Sequence, residues 1–230
     1  MNQQLEVNQI EFVLAGEERS KIGLDLQTLK SKGIIPYDWR LTESSTHSEE
    51  TNLMIFQSGI HILDRGDILA FLETINSNDI SDLVVPDVVN RYLAEVPERS
   101  CQALGINIEG YAAFSNQDMA RNQFLRTFLN SDTQQESDQY LIQAVLNCVY
   151  KFDRGVLALT ARNTEIAVSE QESLSVIKFS ANFHHDMSRF PKEERVHTLR
   201  QLTMDWETDI NIYREIVSSK FLKGQAIRTN

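Results

Sequence analysis

Ile60-His61-Ile62-Leu63-Asp64-Arg65-Gly66 runs on into Ile68-Leu69-Ala70-Phe71, and Val149-Tyr150-Lys151-Phe152-Asp153-Arg154-Gly155 runs on into Val156-Leu157-Ala158-Leu159. In each copy an apolar stretch with a period of two enters a turn and leaves as a second apolar stretch. That pattern is a β-hairpin, with Asp opening the turn and Gly taking the left-handed position. Written twice, it predicts a duplicated architecture. The two Asp-Arg-Gly triplets are expected at equivalent ends of paired antiparallel strands, each copy burying the same face.

The segments around the two copies extend the pattern. Val7, Ile10, Phe12 and Leu14 make 5–14 a strand. Residues 17–32 read as a short helix stopped by Gly33, 34–41 as a strand starting at Pro36, and the polar 42–52 as a surface loop. After the first hairpin (53–75), Val85, Val88, Val89, Tyr92, Leu93 and Val96 fall at helical spacing, with Pro86 in the first turn and Pro97 as the stop. Residues 104–114 alternate as a half-buried strand, and Ser115 with Asp118 resembles a capping box for the next helix. The stretch 131–138 has no aliphatic side chain and reads as a linker. Beyond it come the second hairpin (140–168), a strand over 173–185 and a long helix over 191–222.

Two modules follow, 1–132 and 139–230. The fold class expected is α+β: antiparallel sheet with helices packed on one face, built from two similar hairpin, strand and helix modules.

The chain carries 22 Lys and Arg against 33 Asp and Glu, a net charge of −11, unevenly spread. Residues 1–132 hold a net −10 and the remainder −1. An acidic N-terminal half repels phosphate, so neither nucleic acid nor an anionic membrane is expected as a partner, whereas a basic protein surface is compatible. The N-terminus lacks the basic and apolar regions of a signal peptide, and no apolar run reaches the ~20 residues that span a bilayer. Cys101 and Cys148 form no pattern of a disulfide framework or metal site, which suits a reducing, cytoplasmic setting. No cofactor or metal is implied.

His184-His185-Asp186 is the sharpest chemical cluster. On the 173–185 strand Ile177, Phe179, Ala181 and Phe183 share a face, so His185 joins them while His184 and Asp186 take the polar face. The histidines then point apart and cannot chelate one metal. His184 and Asp186, with Asn182 or Glu109 nearby, have the chemistry of a catalytic acid–base pair. The plainer account is a strand end entering a turn, with Asp186 and Ser188 capping the helix that follows. Asp64 with Asp67, or Asp153 with Arg154, would bind an ion only if turn chemistry did not already explain them. His61 reads as a structural strand residue. Asn107, Glu109 and Tyr111 would line a pocket if their face were covered, and otherwise form a solvated sheet face. There is no phosphate-binding glycine loop, dinucleotide fingerprint, nucleophile elbow or His-Glu-x-x-His.

Along 191–222, Val196, Leu199, Leu202, Trp206, Ile210, Tyr213, Val217 and Phe221 recur every three or four residues. The expectation is one continuous helix, which either packs across both modules as a core helix or, in the sharper reading, meets a second subunit with its far half, including Trp206 and Tyr213. The reading is therefore an accessory protein that binds another protein through an α+β scaffold, with self-association as a homodimer. The competing class is a small hydrolase or metal-dependent enzyme using His184 and Asp186.

Overall fold

Met54, Ile62, Phe71, Phe12, Ile106, Phe183, Leu157 and Tyr150 stand abreast across eight neighbouring strands. The computed structural model describes residues 3–16, 24–48, 51–75, 80–96, 101–128, 143–169 and 172–222. Its strands are β1 (Glu6–Gly16), β2 (Thr46–His47), β3 (Asn52–Ile55), β4 (Ile60–Asp64), β5 (Ile68–Thr74), β6 (Cys101–Phe114), β7 (Val145–Phe152), β8 (Gly155–Ala167) and β9 (Ser173–Asp186). They form one antiparallel sheet in the order β2-β3-β4-β5-β1-β6-β9-β8-β7. The helices are α1 (Leu26–Ser31), α2 (Val85–Glu95), α3 (Gln117–Phe128), α4 (Lys192–Met204) and α5 (Trp206–Ile216), the last running into a π-helical turn, Val217–Leu222. The fold is mixed α+β. Among the described residues no helix is long and apolar enough to cross a membrane.

Period-two alternation dictates the core. In β6, Leu104, Ile106, Ile108 and Ala112 are buried while Asn107, Glu109 and Tyr111 are only half-buried. In β9, Ile177, Phe179, Ala181, Phe183 and His185 alternate in the same way with Lys178, Ser180, Asn182 and His184. Because β6 pairs with β9 along its length, the N- and C-terminal parts of the chain share one sheet and one core. The interval 131–138, read as a linker, lies outside the described residues.

The repeated phrase forms a hairpin each time, but the two hairpins are not equivalent. In the first, Arg65 N–H donates to Ile68 O (2.9 Å) around Gly66-Asp67, and Gly66 has φ of 88°. In the second, Phe152 pairs with Gly155, so Asp153-Arg154 form the turn and Gly155 begins β8 without a positive φ. Ile60 and Ile62 are buried, whereas their counterparts in the phrase, Val149 and Lys151, are exposed. Matched letters therefore point to opposite sides of the sheet, the outcome of period two when the burial register is out of step. The topology differs as well: β1 lies between β5 and β6, while β8 pairs directly with β9.

Other expectations change for local reasons. Residues 34–41 form turns and a single bridge from Leu41 to Phe56 rather than a strand, with Ile34 and Ile35 buried behind the stop at Gly33 (φ 66°). The loop over 42–52 contains the short strand β2. The start of α3 is capped by Asn116, whose Oδ1 accepts Met119 N–H (2.9 Å), one residue beyond the expected Ser115. The α2 N-terminus is capped from outside by Glu73 of β5, whose Oε2 accepts both Val84 and Val85 N–H. Burial nonetheless raises the Glu73 carboxyl above its ordinary range.

The expected continuous helix over 191–222 is broken at Asp205. Its N–H closes α4 on Gln201 O, and its carbonyl and carboxylate receive Thr208 N–H and Oγ1–H to open α5. Arg154 holds the same carboxylate from the β7–β8 turn. The old helix ends at a residue whose carbonyl opens the new one and whose carboxylate ties Thr208 to a neighbouring turn.

Candidate functional site

Each strand that buries one set of side chains presents the alternate set on the other face of the sheet. There, residues line up in four successive rows. The first runs Leu53, Leu63, Ala70, Val13, Gly105, His184, Val156, Lys151 and is apolar over most of its length. The next is mixed: Ile55, His61, Leu72, Glu11, Asn107, Asn182, Ala158, Val149. The third is wholly polar, Gln9, Glu109, Ser180, Thr160, Asn147, and the fourth is Glu6, Tyr111, Lys178, Arg162, Val145.

Cross-strand hydrogen bonds organise the polar rows. Asn182 Nδ2 donates to Asn107 Oδ1, and Asn107 Nδ2 donates to Glu11 Oε2 (2.7 Å), so two amides relay from β9 to β1. Glu109 accepts Ser180 Oγ–H and pairs with Lys178 Nζ at 2.7 Å. Thr160 Oγ1 donates to Asn147 Oδ1 (2.8 Å). The Tyr111 hydroxyl donates to Glu6 Oε2 (2.9 Å), and that bond holds the phenol above its ordinary range. Pairs of this kind contribute roughly 0.2–1 kcal/mol each and fix the side chains in place. The result is a pre-ordered polar surface beside an apolar stripe. Asn107, Glu109 and Tyr111 thus belong to a ladder across the strands.

His184 and Asp186 share this face as alternation requires, and both are exposed. Asp186 Oδ1 accepts Ser188 N–H (2.8 Å), and hydrogen bonding from the Ser188 side chain and then its backbone lowers the carboxyl below the ordinary range. Its carboxylate is thereby engaged in shaping the turn into α4. Among the described residues no group of three or more His, Cys, Asp or Glu is placed to hold a metal ion. No protein-family model, no curated protein and no solved structure matches this chain.

Trp206 and Tyr213 lie inside the core, at 7% and 0% relative exposure. The Tyr213 hydroxyl donates to Phe179 O (3.2 Å), and burial pushes its phenol far upward. Neither side chain has surface left for a second subunit, which corrects the expectation that they form an interface.

The polar centre that sequence reasoning missed joins the second turn to α5. Asp209, fully buried, is flanked by Arg154 (Nε to Oδ1, 3.3 Å) and His185 (Nε2 to Oδ2, 3.1 Å). His185 Nδ1 faces Arg154 O at 2.9 Å. Both ring nitrogens thus face oxygen atoms, one of the backbone and one of the carboxylate. The cluster is a buried strut, with Arg154 as its only side chain reaching the surface. Its trace in the sequence is spacing: Asp209 lies three residues after Trp206 and four before Tyr213, on their face of the helix.

Proposed function

We propose that this chain is an accessory protein that receives a protein partner on the sheet face bearing the four rows, with the helices gathered on the opposite, apolar face. The observation that carries the reading is the order of the rows. Half-buried apolar side chains (Leu53, Leu63, Val13) and exposed Val156 lie beside fixed polar ones (Glu11, Asn107, Glu109, Lys178), the make-up of an interface centre with a polar margin. The acidic N-terminal half favours a basic partner surface over nucleic acid or an anionic membrane. Neither Cys101 nor Cys148 is in a disulfide, in keeping with a reducing, cytoplasmic setting. The acid–base reading of His184 and Asp186 has less behind it, because Asp186 is bonded to the Ser188 backbone.

Site-specific photo-crosslinking in cells tests this. A photoreactive side chain at Val156 or Lys178 is expected to trap one discrete partner, and the same group at exposed Met204 is not. Equal or absent trapping at all three positions would refute the proposal.

A further inference from the structure

The two edges of the sheet are unlike. One ends in β2, two residues long; the other is β7, eight residues from Val145 to Phe152 in unbroken register with β8. Among the described residues no strand pairs with the outer side of β7. A two-residue loop closes on a hydrogen-bonded pair, here Phe152 with Gly155. Even-numbered residues of β7 therefore turn their backbone groups to β8, and Val145, Asn147, Val149 and Lys151 turn theirs outward. Natural edges are protected by Pro, bulges, short length or several charges. β7 has no Pro, no register shift and one charge, Lys151. Its core-side residues Leu146, Cys148, Tyr150 and Phe152 are only half-buried, and Val149 is 74% exposed.

We infer that β7 pairs antiparallel with β7 of a second copy of this chain, the two-fold axis falling at or beside Cys148, the middle of the strand. The strand is complementary to itself in that arrangement. On the core side Leu146 of one copy lies opposite Tyr150 or Phe152 of the other, so the apolar row ending at Tyr150 continues into the core of its neighbour. On the far side Lys151 lies opposite Val145 or Asn147. The two Lys151 ammonium groups are then four to six positions apart, roughly 13–20 Å, and a Debye length of about 8 Å screens them. A second copy supplies both the matching side chains and the separation of like charge. This pairing uses the edge, so it stands or falls separately from partner binding on the face.

Sedimentation velocity and thiol crosslinking test it together. The wild type is expected at twice 26.4 kDa at micromolar concentration, and Val149→Pro at 26.4 kDa. Proline at that position removes an outward N–H and leaves the β8 ladder intact. Should Val149→Pro fold poorly, Val149→Lys adds charge at an exposed site and is expected to halve the mass in the same way. A short bis-maleimide is expected to link wild type and Cys101→Ser into dimers, and to leave Cys148→Ser unlinked. A wild type that stays at 26.4 kDa, a Val149→Lys variant that remains dimeric, or a dimer in which Cys148 does not crosslink would each overturn the inference.

Discussion

His185 Nε2 lies 3.1 Å from Asp209 Oδ2, with His185 at 1% and Asp209 at 0% relative exposure, and Arg154 closes the other side of the carboxylate. Three elements, β9, α5 and the β7–β8 turn, meet at that one buried charge. Removing a single partner leaves the remaining charges desolvated, so Asp209→Ala is expected to cost about 3–5 kcal/mol. Urea denaturation measures this. A loss below about 1 kcal/mol would mean that water or rearrangement readily replaces the carboxylate.

Gly155 and Gly105 are expected to respond oppositely to Ala. A Cβ on Gly155 would stand 2.5 Å from the His184 carbonyl oxygen and 3.1 Å from His185 Nδ1. Backbone cannot step aside, so Gly155→Ala should destabilise by about 1–3 kcal/mol. On Gly105 the nearest atom is Asn182 Nδ2 at 3.3 Å, the end of a side chain that can shift. Gly105→Ala should be neutral or stabilising by up to about 1 kcal/mol. Thermal melts of the two variants check the contrast; equal losses would contradict it.

The neighbouring histidines should separate as cleanly. His184→Ala, on the exposed face, should change stability by less than about 0.5 kcal/mol. His185→Ala strips a buried contact from Asp209 and should lower stability by about 2–4 kcal/mol. Chemical denaturation of both proteins decides, and a costly His184→Ala would show that the exposed pair has a structural duty.

Asp25 caps α1 through Oδ1, which accepts Thr28 N–H at 2.6 Å, and that bond holds the carboxyl below its ordinary range. Loss of a cap of this kind costs about 0.5–2 kcal/mol. Because the folded-state value is the lower one, the ionised cap contributes in full above the unfolded-chain value of about 4. The contribution fades as pH falls through the folded value. The stability difference between wild type and Asp25→Ala should therefore be constant near neutrality and shrink below about pH 4. A difference that grew on acidification would exclude this origin.

Much of the architecture is carried by local pattern. Alternation placed Leu104, Ile106, Ile108 and Ala112 of β6 and the residues from Ile177 to Asp186 of β9 on their correct faces, His184 and His185 included, while buried Val176 departs from it. Gly66, in its Asp-Arg-Gly setting, takes the positive φ that the turn reading requires. The spacing through 191–222 marked a buried helical face, and Trp206, Ile210 and Tyr213 are buried. What that spacing did not reveal was the break at Asp205. Helical period survives a change of axis, and the break depends on Arg154, which arrives from 51 residues away.

The sequence by itself determined periods, turns and the apolar positions, because these rest on backbone geometry and on side chains within a few residues of one another. Only the tertiary structure decided how the repeated phrase is used. Asp64 turns inward to accept Leu24 and Gly66 N–H, while Asp153 is exposed and Arg154 reaches Asp205 and Asp209. The same three letters serve different contacts because period two leaves the choice of face open, and the packing of β1, β9 and α5 against each hairpin makes that choice.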